Sequence, residues 1–195
     1  MKYIVGARGS QLSVAQTNWV ITELKKVNPD SEYEIKTITT KGDTDTRPLF
    51  TIDQKGIFEK EIDRAVAQKE VDFAVHSLKD VPSEIDNSLI LACVPKREVV
   101  NDVFISSDGS TLENIKAGAV IGTSSLRRAV QVIRQRHDVT VKPIRGNIET
   151  RIKKVFGENY DAVILAQDDA IAADLVSETG AFECTFVGYF IDSPA

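Results

Sequence analysis

The chain has 195 residues, 42% of them hydrophobic and 27% charged, with a formal net charge of −5 at pH 7. That is the composition of one ordinary globular domain or two, and the acidic balance argues against nucleic acid as the main partner. The first residues carry no apolar signal core and no stretch approaches the roughly 20 residues of a membrane span, so a cytoplasmic chain without a membrane partner is expected.

Residues 3–7 read as a short strand, and Ser10 is placed to cap the helix that follows. Leu12, Ala15, Trp19, Glu23 and Val27 share one stripe of that helix, flanked by Val20 and Leu24, and Pro29 ends it. Residues 34–39 alternate as a strand. Residues 40–54 form a polar loop of a length that is usually functional or mobile, and residues 57–68 read as a helix. Strands are expected at 72–77 and 89–94, the second burying Cys93. The charged break at 95–98 reads as a hinge.

Beyond it, strands are expected at 102–106, 119–122, 139–144 and 161–166. A short helix at 111–115 should stop at Gly118, and longer helices are expected at 125–136 and 148–156. Strands alternating with helices argue for an α/β fold with mainly parallel sheets, and the break divides it into lobes at 1–95 and 96–178. Cys93 and Cys184 make no disulfide framework and have no metal-ligand spacing, and His76 and His137 are too few for a His-based metal site, so no metal is expected.

Three polar runs stand out at strand ends. His76-Ser77-Leu78-Lys79-Asp80-Val81-Pro82 follows a strand of β-formers and breaks it abruptly. Asp80 reads either as a turn-capping residue or as a buried-edge carboxylate facing a cationic intermediate, with Lys79 beside it, and His76 as a satisfied strand residue. In Gly122-Thr123-Ser124-Ser125-Leu126-Arg127-Arg128 a strand feeds a helix capped by Ser124 or Ser125. Leu126, Ala129, Val130 and Ile133 take its apolar positions, which leaves Arg127 and Arg128 in the first turn. Cations there oppose the helix dipole, so they read as an anion site more readily than as solvated surface.

Arg145-Gly146-Asn147 repeats the geometry, with Arg151 one turn into the next helix and Glu149 as its local alternative partner. Two such sites in consecutive strand–helix units should open on the same edge of a parallel sheet. Arg8 with Ser10 marks another strand-to-helix turn, and Lys55 precedes a helix start. One acid and several cations at strand ends suggest a small polyanion handled around a single carboxylate.

Together with Ala7-Arg8-Gly9-Ser10, Thr40-Lys41-Gly42-Asp43, Lys55-Gly56-Ile57-Phe58 and the run from Tyr160 to Ala166, these motifs resemble the porphobilinogen deaminase, or hydroxymethylbilane synthase, family. The resemblance implies two lobes like those of type II periplasmic binding proteins with the ligand cleft between them. It implies a monomeric transferase of tetrapyrrole (haem) biosynthesis that condenses four porphobilinogens, releasing ammonia, on a covalently held dipyrromethane primer. It assigns catalysis to Asp80. It assigns primer or substrate binding to Arg8, Ser10, Lys55, Ser77, Lys79, Thr123, Ser124, Ser125, Arg127, Arg128, Arg145, Gly146 and Arg151.

Residues 167–195 depart from the family pattern. Residues 179–195 match either a strand returning to the first lobe or a remnant of the family's third domain, and in the second alignment Cys184 is the primer tether. A non-catalytic two-lobed module for a small polycarboxylate is the alternative function.

Overall fold

The computed structural model describes residues 1–44, 59–96, 101–157 and 159–166. The chain divides into two compact units, Met1–Lys96 and Arg97–Ala195. Lys55, Cys184 and the whole of 179–195 lie outside the described residues.

The first unit is a three-stranded parallel sheet in the order β2-β1-β3. Its strands are β1 (Lys2–Arg8), β2 (Glu32–Ile38) and β3 (Phe73–Ala74), with helices α1 (Gln11–Val27), α2 (Lys41–Thr44) and α3 (Lys60–Ala67). β1 is central and buries Val5 and Ala7 completely, and the helices packed on it bury Ile62 and Ala65 of α3 and Ile21 of α1. Gly6 permits this packing, because a Cβ there would stand 3.1 Å from Val71 Cγ2 and 3.3 Å from Ile62 Cγ2.

α1 is capped by Ser10, whose side chain accepts from Ser13 N, but its buried face is not the expected one. Thr17 and Ile21 are buried, whereas Trp19 is 41% and Val27 72% exposed. The Thr17 hydroxyl donates to the Ser13 carbonyl at 2.7 Å, so its polar group is satisfied inside the helix and its methyl face can be buried.

β3 is shorter than the expected 72–77. Its bonds to β1 run from Asp72 N to the Ile4 carbonyl and from Val75 N to the Gly6 carbonyl, after which the chain turns away. The strand expected at 89–94 is absent. Ile90 is 85%, Leu91 54% and Val94 55% exposed, and Cys93 is an exposed free thiol rather than a buried one. β-formers make a strand only where a sheet edge takes up their N–H and C=O groups, and no described strand pairs with these.

The second unit is a four-stranded sheet in the order β4-β7-β5-β6. Its strands are β4 (Asp102–Ser106), β5 (Val120–Gly122), β6 (Thr140–Lys142) and β7 (Ala162–Ala166), with helices α4 (Leu126–Gln135) and α5 (Ile148–Gly157). β5 is parallel to both β6 and β7, while β4 runs antiparallel to β7, with Asp102 opposite Ala166. Phe104, Leu112, Ile115, Ala119, Ile121, Val132, Ala162 and Ile164 form its core.

Residues 111–115 are a turn instead of a helix. Arg136 donates to the carbonyls of Leu112, Glu113 and Ile115, taking up the acceptors that a longer helix would have used itself. Gly118 at φ +77 ends the segment as expected. On α4 the apolar stripe faces outward: Leu126 is 73%, Val130 66% and Ile133 47% exposed, and Val132 is the buried residue.

Candidate functional site

In the first unit all three strands are parallel, so their carboxyl ends share one edge. That edge carries Arg8 at the end of β1 and Ser10 after it, Thr40 after β2, and Ser77, Lys79 and Asp80 after β3. Side chains tie the loops together. Arg8 N donates to Ser13 Oγ at 3.1 Å, and the Ser77 hydroxyl donates to Gln16 Oε1 of α1 at 2.8 Å. His76 Nε2 lies 3.2 Å from Asp63 Oδ1 of α3, but β3 ends at Ala74, so His76 belongs to the loop after it and is not the strand residue expected.

Leu78–Asp80 form a 3₁₀ turn, closed by Asp80 N donating to the Ser77 carbonyl at 2.9 Å. Asp80 and Lys79 are both exposed, so Asp80 is an open carboxylate on a turn and not the buried-edge group expected. Val81 returns to extended backbone before Pro82, as the residue preceding a proline prefers.

In the second unit β5, β6 and β7 share a direction, and the two strand–helix loops open on their common carboxyl edge. The loop after β5 is built by its own hydroxyls. Thr123, 5% exposed, accepts from Ser125 N at 3.2 Å through Oγ1. Ser124 Oγ donates to the Ile144 carbonyl and so binds this loop to the one after β6. Ser125 caps α4 by accepting from Arg128 N.

The loop after β6 depends on Gly146, at φ +114, where a Cβ would stand 2.6 Å from Thr150 Cγ2. Asn147 Oδ1 accepts from Thr150 N at the start of α5, and Arg151 Nε donates back to the Gly146 carbonyl at 2.7 Å. Arg151 is thereby held over the loop that carries Arg145. Thr123, Ser124, Ser125, Arg127, Arg128, Arg145, Gly146 and Arg151 therefore belong to two neighbouring loops and helix starts of one sheet edge.

Asp102 is the residue that sequence reading missed. It accepts from Arg128 Nη2 at 2.6 Å and from Arg127 Nη2 at 3.1 Å. A residue that opens a strand lies at the carboxyl edge of its neighbours only when that strand is antiparallel, and nothing local in the sequence announces that β4 is. Arg127 and Arg128 also border a groove floored by Phe104, Leu112, Val132 and Ile164. Among the described residues no group of three His, Cys, Asp or Glu side chains is gathered for a metal, and no helix is long and apolar enough to cross a membrane.

The chemistry of this edge is a set of guanidiniums on capped helix starts, suited to carboxylates or phosphates. Residues 3–170 match the family model described as porphobilinogen deaminase, dipyromethane cofactor binding domain. The chain is 85% identical over 167 residues to the probable porphobilinogen deaminase of Nitrosopumilus maritimus, and 50% identical over 167 residues to the porphobilinogen deaminase of Listeria innocua. These alignments cover 86% and 85% of this chain but 54% of each relative, so the chain spans about half their length.

Among solved structures, a candidate lipoprotein from Actinomyces odontolyticus aligns with 100% of this chain and 80% of its own, at 13% identity and a TM-score of 0.53. That is a likeness of fold, in keeping with the α/β architecture described above. The family match runs from the first strand past the last described one and takes in every strand-end loop of both edges. The chain belongs to the porphobilinogen deaminase family.

Proposed function

We propose that this chain works on porphobilinogen in hydroxymethylbilane synthase chemistry, the deaminating head-to-tail condensation of four substrate molecules into a linear tetrapyrrole. The observation that carries this reading is the second unit's edge. Arg127, Arg128, Arg145 and Arg151 stand on two adjoining loops and helix starts within the segment that matches a dipyrromethane-binding domain. Porphobilinogen and dipyrromethane both carry acetate and propionate arms, and a guanidinium receives a carboxylate through two parallel N–H donors.

The donor set suits the primer. Besides the helix-start N–H groups, it includes the Arg127 guanidinium, which is 56% exposed and open to a ligand. Arg127, Arg145 and Arg151 would hold carboxylates of the primer and of porphobilinogen bound beside it, with Arg128 walling the site, and a bound primer would supply the free pyrrole carbon that joins the first substrate.

In the first unit, Arg8, Ser10 and Lys79 stand at the strand ends beside Asp80 and offer donors to substrate carboxylates, a role we also propose for Lys55, while Ser77 braces the turn on Gln16. Asp80 is the group placed for chemistry. Departure of ammonia from porphobilinogen leaves an azafulvene cation. An exposed carboxylate on a 3₁₀ turn stabilises that charge and accepts from the pyrrole N–H. Backbone caps and turns fix where these side chains start, so the loops themselves need little reorganisation.

The test supplies purified chain with free dipyrromethane and porphobilinogen and follows ammonia release and tetrapyrrole formation. Turnover that Asp80→Asn abolishes supports the reading. Tight porphobilinogen binding without ammonia release in the presence of primer would instead mark a polycarboxylate-binding module. Intact mass of the purified chain decides the separate proposal that Cys184 tethers the primer, through the presence or absence of a covalent dipyrromethane.

A further inference from the structure

The two neighbouring arginines of α4 are not equivalent. Arg128 is 16% exposed and donates to Asp102 Oδ1 at 2.6 Å, while Arg127 is 56% exposed and donates to Oδ2 at 3.1 Å. Asp102 is itself 22% exposed and is held by the ladder of β4 against β7. Each oxygen of this one carboxylate thus takes a hydrogen bond from a different guanidinium, which is how a ligand carboxylate would bridge the pair.

We propose that Asp102 is the positioning residue of this site: it anchors Arg128 permanently and holds Arg127 only until a ligand carboxylate takes its place. The proposal rests on the reading that this edge binds carboxylates, and it divides the roles of two residues that the sequence treats alike. The physical basis is the difference in burial. Removing the partner of a largely buried guanidinium leaves a desolvated charge uncompensated, whereas an exposed guanidinium regains water at little cost. Position adds to this. Both cations sit in the first turn of α4, where the helix dipole repels them, so a fixed anion is needed to keep Arg128 folded inward beside Val132. Arg128 then forms a wall of the groove and sets where Arg127 stands, and Arg127 makes the exchangeable contact.

A double-mutant cycle on the full chain tests the anchoring without ligand. Asp102→Asn and Arg128→Gln should each lower Tm by about 3 °C or more, and the double variant should lose little beyond the larger single loss. Asp102→Asn with Arg127→Gln should be additive. Equal coupling to both arginines, or coupling to Arg127 alone, overturns the proposal.

Calorimetric titration with porphobilinogen then tests the exchange. Arg127→Lys should weaken binding about tenfold in wild type and in Asp102→Asn alike. Arg128→Lys should weaken it in wild type and have no further effect once Asp102 is Asn, because Arg128 acts through its anchor. A persistent, independent loss from Arg128→Lys in the Asp102→Asn background contradicts the division of roles. Wild-type chain that binds no porphobilinogen refutes the carboxylate-site reading and the exchange step with it, while the stability cycle still decides the anchor.

Discussion

The two units present strand ends of opposite character. The edge of the first carries an exposed carboxylate, Asp80, on a short turn held by backbone bonds and a Ser77–Gln16 contact. The edge of the second carries guanidiniums, and there almost every small polar side chain is used in construction: Thr123, Ser124, Ser125 and Asn147 all bond to their own or the adjoining loop. The difference is one of construction: the first edge leaves a carboxylate open, whereas the second sets its guanidinium-bearing loops by caps, a left-handed glycine and one internal anion.

The sharpest way to break this comparison is Asp80→Asn. It keeps shape and removes charge at an exposed position, so the fold should persist while primer-dependent turnover falls by about a hundredfold or more. Porphobilinogen affinity should change little. Near-normal turnover would place the chemistry elsewhere.

Next in size is Gly146→Ala. The new methyl meets Thr150 at a φ of +114, so unfolding in urea should show a loss of about 1–3 kcal/mol. Porphobilinogen affinity should fall as well, because Arg151 is braced on the Gly146 carbonyl. Full stability with full affinity would show that this loop is not pre-set.

The helix caps give a smaller, paired effect. Ser10→Ala and Ser125→Ala each remove an N-cap and should cost about 1 kcal/mol. If the second edge is the pre-organised clamp, Ser125→Ala should weaken porphobilinogen binding beyond what Ser10→Ala does. Equal effects on binding would remove the distinction between the edges.

The smallest effect is on pH. The Asp161 carboxyl is held below the usual carboxylate range by hydrogen bonds from Lys116 and from the Val120 N–H. A depressed folded-state pKa gives stability that is present above the unfolded value of about 4 and is lost as pH falls through the lower folded value. Wild type should therefore melt above Asp161→Asn at neutral pH, and the gap should close in acid. A gap unchanged at pH 3 would show that the carboxylate's charge contributes nothing.

Much of this was legible in the residues. The strand at Asp102–Ser106, the Ser10 cap, a serine cap at 124 or 125 that the structure assigns to Ser125, and the shared edge of the two arginine loops follow from propensity, capping chemistry and the geometry of parallel strands. What escaped was whatever depends on a distant partner. The stripe of Leu126, Val130 and Ile133 has helical spacing, yet Arg128 and Val132 take the inner face, because a tertiary ion pair and a core contact orient the helix. The run at 89–94 has strand composition but no described strand to pair with. Asp102 became visible only with the antiparallel ladder that brings it to the edge.

The most direct test of the account is calorimetric titration of porphobilinogen into the purified chain and into Arg127→Ala. The account predicts saturable binding by wild type, weakened about tenfold or more in the variant and partly restored in Arg127→Lys, since a lysine returns the charge without the bidentate fork. Wild type that does not bind, or an Arg127→Ala variant that binds as tightly as wild type, would contradict it.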